Sequence, residues 1–277
     1  MNLKGIKNQS DEIYLKYKKQ IIPEFFYVGY LGLLAQYIQK AFFSLFVSLF
    51  MCSISHGYVK SAMTLVDEEN PELTYKQSMV GILEFPRVAP IYIMKKVITL
   101  LITFIVSIPM LRCIGKTMSL LSFDGLSSLG NAFVQTEFFI PYFNQYLTII
   151  KEPLVFINCL VLFVVYLYLT ALFLPVPYIM EQEEFSWLES FQYSFSLMKG
   201  HFLHFFKLYL YYLTRHAFYW GVTGIALMLL GDVNEYLKLF CFVSSLFLYI
   251  DVFKGRFEIA KYLFYKEIRG DDDEGNQ

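Results

Sequence analysis

The side chains that most invite a chemical reading are two histidines three residues apart, His201 and His204, and an Arg215-His216 pair inside an apolar run. Two imidazoles at that spacing share a helix face, yet a metal site needs further ligands, and no HExxH segment or paired-cysteine element supplies them. Cys52, Cys113, Cys159 and Cys241 are widely scattered and read as unpaired structural thiols, not as a disulfide framework or a metal clamp. No Gly-x-Ser-x-Gly elbow, phosphate-cradling glycine loop or nucleotide-binding lysine motif occurs, and the many serines have no assignable His and carboxylate partners. The residue types therefore argue against enzymatic catalysis, a bound cofactor or a metal.

Arg215 is the most pointed polar group. It lies eight residues beyond Lys207, about 12 Å deeper at a rise of about 1.5 Å per residue, and a guanidinium facing lipid there is expensive. Either it snorkels toward water, or it pairs with an acid. Asp251, near the inner end of the last apolar run, is the candidate partner, and Glu24 is a second.

The elements that must carry these groups follow from composition. Over 277 residues the chain is 56% hydrophobic and 17% charged, with a mean hydropathy of +0.47, which is too apolar for an ordinary soluble domain. Its 29 Phe and 22 Tyr suit helices among lipid tails with hydroxyls reaching toward headgroups. A net charge of -1 offers no basic field for nucleic acid. The expected class is all-α, a polytopic transmembrane helical bundle of about six spans: Ile22 to Gln39, Ala41 to Val59, Pro90 to Leu111, Leu154 to Tyr178, Lys207 to Leu230 and Tyr236 to Phe253. Only Gln39 and Lys40 separate the first two, so a tight hairpin and one long helix compete there.

Residues 1–21 then form a basic cytoplasmic tail with an uncleaved first anchor behind it, 22–253 the membrane domain, and 254–277 a second cytoplasmic tail ending in the acidic GDDDEGNQ, expected to be solvated and disordered. With both termini inside, 17 of the 23 Lys and Arg fall on the cytoplasmic side, as retention of positive charge requires. The segment 112–153, rich in Gly, Pro and Phe, reads as an outer insertion: an interfacial helix, a structural cap or a binding lid.

Two connections on the inner side look alike. Glu72-Leu-Thr-Tyr-Lys-Gln-Ser78 aligns with Glu184-Phe-Ser-Trp-Leu-Glu-Ser190 at an offset of 112 residues, which also pairs Arg87 with Lys199 and Lys95 with Lys207. Thr74 with Gln77, and Ser186 with Glu189, have the spacing of capping boxes. Apolar residues recur behind each cap at helical spacing, so two amphipathic interfacial helices are expected, in repeat-like units of about 57–111 and 170–230. Two copies on one side make the repeat parallel. Gly200 is placed to end the second helix in a left-handed conformation. Lys199, His201 and Lys207 around it are candidates for a lipid-phosphate contact at the inner leaflet.

The stretch Pro177-Tyr-Ile-Met180, with Ser186, Glu189-Ser190, Ser194, Leu197-Met-Lys-Gly-His201 and Phe205-Phe206, resembles a bacterial family of integral membrane proteins known as domain of unknown function 975. That family is related to the membrane domain found beside some glycerophosphodiester phosphodiesterases. The likeness is clearest from Pro177 to Leu210 and weaker in Gly57 to Pro109 and Ala260 to Tyr265; the pattern departs around Tyr212 to Arg215. The resemblance implies a multi-pass bacterial cell membrane protein and carries over no catalytic residue. The expected function is a non-enzymatic accessory role in envelope maintenance, peptide export or self-immunity, with a small transporter or lipid-handling protein as the alternative. Membrane lipids and a membrane protein partner are the expected partners.

Overall fold

The computed structural model describes residues 2–41, 53–118, 153–183, 185–230, 244 and 247–275. Every element among them is helical, and they fall into two units, Met1–Lys95 with Ala171–Gln277, and Lys96–Thr170.

The first unit is built around the chain ends. Helix α1 (Leu3–Ala41) is sprinkled with Lys and Glu, yet Ile6, Ser10, Tyr14, Ile21, Phe25 and Val28 recur every three or four residues, or seven, and are all buried. That spacing puts them on one stripe, and it faces the last helix of the chain, α10 (Gly255–Gly275). In α10 the residues Ile259, Ala260, Tyr262, Leu263, Phe264 and Tyr265 are buried almost without interruption. Gly255 is required at the crossing, because a Cβ there would lie 2.5 Å from the Tyr14 ring. The two termini expected as tails are thus helices of a packed core. Charge hid them: the polar residues sit outside the stripe and tie the helices together. Arg256 Nε donates to Asp11 at 2.9 Å, Lys266 to Asp67 at 2.9 Å, and the Asn2 backbone N–H to Glu267 at 2.5 Å.

Helix α2 (His56–Asp67) inserts nine buried residues between these helices and the two short turns α3 (Tyr75–Ser78) and α4 (Val80–Leu83). Backbones meet directly here: a Cβ on Gly57 would stand 2.2 Å from the Ser78 carbonyl oxygen, and one on Gly81 1.8 Å from that of Ser53. After α5 (Phe85–Met118) and α6 (Pro153–Leu172) the chain breaks and resumes as α7 (Val176–Gln182), whose N-terminal Pro177 needs no amide partner. α8 (Trp187–Met198) follows, and α9 (Phe202–Leu230) begins after Gly200. Both capping boxes form, Thr74 with Gln77 and Ser186 with Glu189, and Gly200 takes φ +88° as its position requires. The two copies nonetheless differ. The second is one continuous amphipathic helix, whereas the first is broken at Met79.

In the second unit, residues 96–118 of α5 and 153–170 of α6 carry exposed Leu100, Leu101, Phe104, Ile105, Phe156, Ile157, Leu160 and Val164. The Asn158 side-chain amide N–H donates to the Val106 carbonyl at 3.0 Å. Among the described residues two stretches, not six, are long and apolar enough to cross a membrane: Phe85–Pro109 and Val155–Gln182. Only 6% of the first is buried, unlike the core helix of a soluble domain. The other expected spans fare differently. The opening of Ile22 to Gln39 lies in α1 with Phe25 and Val28 buried, and α9 covers Lys207 to Leu230 with Leu208 and Tyr212 buried. Residues 42–52, 119–152 and 231–243, holding most of two expected spans and of the outer insertion, lie outside the described residues.

Candidate functional site

Glu181 closes the Pro177-Tyr-Ile-Met180 motif at the end of α7, where the helix delivers it into the first unit. Its side chain is 2% exposed and collects three donors from two other helices. His56 Nε2 of α2 stands 3.0 Å from Oε1, Lys60 Nζ one turn later in α2 stands 2.6 Å from Oε2, and Arg87 Nη2 of α5 stands 3.4 Å from Oε1. His56 is wholly enclosed, at 0% exposure. With its Nε2–H committed to Glu181, its Nδ1 accepts from the Tyr92 hydroxyl at 3.1 Å. Arg87 also donates to Glu84 at 2.6 Å and to the Met180 carbonyl at 3.3 Å. Lys60 and Arg87 remain 36% and 51% exposed, so the cluster is sealed on the histidine side and open on the arginine side.

The open side is a cleft of 680 Å³. Arg87, Glu181, Gln182 and Glu183 form its polar wall; Pro86, Pro90, Ile91, Phe185 and Trp187 form much of the rest. Glu183 gives Oε1 to Arg269 at 2.5 Å, and Gln182 bridges Arg269 at 2.6 Å and the Tyr262 hydroxyl at 2.7 Å. The α10 helix thereby fixes the wall from behind.

A second buried carboxylate, Glu258, lies between Lys254 and Lys261, each at 2.6 Å. Burial alone would raise its pKa, but the two ammonium groups outweigh it and hold the carboxyl well below the usual range. Lys254 also covers the Tyr58 ring at 4.4 Å. These charges are mutually satisfied, which is the arrangement of a structural clamp.

The residues singled out from sequence are placed as follows. Arg215 reaches Asp11 at 3.4 Å and the Tyr211 hydroxyl at 2.7 Å, while Asp251 takes Lys18 at 2.8 Å and the Tyr14 hydroxyl at 2.7 Å. The expected Arg215–Asp251 pair is therefore exchanged for two pairs, because α1, read as a tail, supplies both partners. Glu24, the other candidate, accepts from Ser78. Lys199 and Lys207 are exposed and His201 is half-buried around the Gly200 corner, with the His201 and His204 ring centroids 6.2 Å apart. Among the described residues no three His, Cys, Asp or Glu side chains are grouped to hold a metal ion. His56, Lys60, Tyr92 and Glu181 escaped the sequence reading; the only local signal was the four-residue spacing of His56 and Lys60, which places both on one face of α2.

No family model, curated protein or solved structure matches the chain.

Proposed function

We propose that this chain is a non-enzymatic, multi-pass accessory protein of the bacterial cell membrane, with both termini cytoplasmic and a folded helical bundle held at the inner face. The observation that carries the reading is the Phe85–Pro109 stretch, apolar enough to span and 6% buried, which leaves lipid as the natural solvent for its side chains. Pairing of α1 with α10 supports the placement of both ends on one side. The basic residues gathered in these helices support a cytoplasmic side for them, and the resemblance to domain of unknown function 975 implies a multi-pass protein of the bacterial cell membrane. Service in envelope maintenance, peptide export or self-immunity means recognition of a membrane protein partner, for which the bundle is the presented surface.

The test is alkaline carbonate extraction of bacterial membranes, followed by detergent solubilisation and affinity isolation of the full chain. The account expects retention in the membrane pellet and stoichiometric recovery of a membrane protein. Release by carbonate would remove the membrane reading, and isolation of the chain alone would remove the accessory role. The cleft beside Arg87 favours lipid handling as a second reading; a lipid headgroup contact by Lys199, His201 and Lys207 belongs to it.

A further inference from the structure

The cleft beside Arg87 joins two kinds of wall at one place along the chain. Arg87 stands in the first turn of α5, where the apolar stretch Phe85–Pro109 begins, and Pro90 and Ile91 lead from the polar wall into that stretch. The rim is completed by Phe185 and by Trp187, which opens α8 and is exposed. Exposed aromatic rings at the end of an apolar helix are the side chains that settle at headgroup level.

The polar wall is only partly spent on internal bonds. A guanidinium carries five N–H donors. Arg87 directs them to Glu84, the Met180 carbonyl and Glu181, which leaves donors for an incoming phosphate on a side chain half exposed to the cleft. Glu183 commits one oxygen to Arg269, leaving the other to accept from a cation. The lining therefore holds one guanidinium against two carboxylates. A group with a phosphate and a primary ammonium a few bonds apart meets a partner for each charge there, Arg87 for the phosphate and the second Glu183 oxygen for the ammonium.

We propose that this cleft binds the headgroup of a zwitterionic aminophospholipid, with the phosphate on Arg87 and the ammonium on Glu183, the glycerol end turned toward Pro90 and Ile91. This rests on the membrane reading above and names the lipid class that the site reads. It is distinct from the candidate contact around Gly200.

Trp187 supplies the reporter. In the full-length chain carrying Trp220→Phe, Trp187 is the remaining tryptophan, and its emission is followed during titration with dihexanoyl phosphatidylethanolamine in a mild detergent. The expected result is a saturable change with the ethanolamine lipid, and binding at least about tenfold weaker in Arg87→Ala, the loss of one charge-assisted hydrogen bond. Arg87→Lys should restore part of it, and Glu183→Gln should weaken the ethanolamine lipid while leaving the weak phosphatidylcholine signal unchanged. Melting curves of each variant establish that it is folded; where Arg87→Ala does not fold, Glu183→Gln alone carries the test. Equal binding of phosphatidylglycerol or phosphatidylcholine would overturn the assignment of the amine, and equal binding of inorganic phosphate or free phosphoethanolamine would overturn the lipid. Because the probe is soluble, a chain that carbonate extracts but that binds the probe separates failure of the membrane reading from failure of the site.

Discussion

Replacing Glu181 by Met keeps the length of an unbranched side chain while removing the acceptor and its charge, and the structure says who is left stranded. Lys60 and Arg87, 36% and 51% exposed, can turn to water, and an exposed pair is worth about 0–1 kcal/mol. His56 has no such exit: at 0% exposure its Nε2–H loses a bond to a charged acceptor, worth about 1.5–3 kcal/mol. The enclosed histidine therefore dominates, for a total of about 2–4 kcal/mol, at or below the roughly 3–5 kcal/mol of breaking a fully buried ion pair. For a chain of this size that lowers the melting midpoint by roughly 5–10 °C. The assay is thermal unfolding of the detergent-solubilised protein followed by intrinsic fluorescence, with Lys60→Ala as control, expected within about 1 kcal/mol of the parent. A Glu181→Met midpoint matching the parent, or a Lys60→Ala loss as large, would refute the claim that the buried His56–Glu181 contact holds the cluster.

Three further outcomes follow from the packing and charge. Gly81→Ala should cost about 1–3 kcal/mol, since its methyl lands 1.8 Å from the Ser53 backbone oxygen, which cannot move alone; the same melting assay reads it, and a neutral result would remove the close approach of α4 to the backbone just before α2. In a double-mutant cycle, Asp11→Asn and Arg215→Gln should couple by about 0.5–1 kcal/mol, whereas Arg215→Gln and Asp251→Asn should be additive; the reverse would restore the pairing expected from sequence. Glu258 has its pKa depressed in the folded chain, so its stabilisation is present above the ordinary value of 4.5 and is lost as pH falls toward about 2. Melting midpoints measured between pH 7 and 3 should fall across that window, and Glu258→Gln should flatten this acid limb while starting lower.

What could be read from the chain was local. The capping boxes at Thr74 and Ser186 and the left-handed Gly200 depend on residues at most three apart, and the structure forms all of them. The all-α class followed from long apolar helical runs. The α1–α10 pairing was hidden, because a stripe of six buried residues is diluted by the lysines around it and its partner lies at the other end of the chain. The Glu181 cluster was hidden for the same reason: positions 56, 60, 87, 92 and 181 have no shared spacing, and only folding converges them. The repeat was legible as a pair of caps but not as a pair of helices, since Met79 divides the first copy where Gly81 passes the Ser53 carbonyl.

The membrane account is tested most directly by labelling Lys199→Cys, at the exposed end of α8, with a membrane-impermeant maleimide in a background where Cys52, Cys113, Cys159 and Cys241 are replaced by Ala. The account predicts labelling of inverted vesicles, protection in sealed right-side-out ones until they are opened, and, in a separate carbonate wash, retention of the protein in the membrane pellet. Labelling of sealed right-side-out vesicles, or loss of the protein to the carbonate wash, would contradict it.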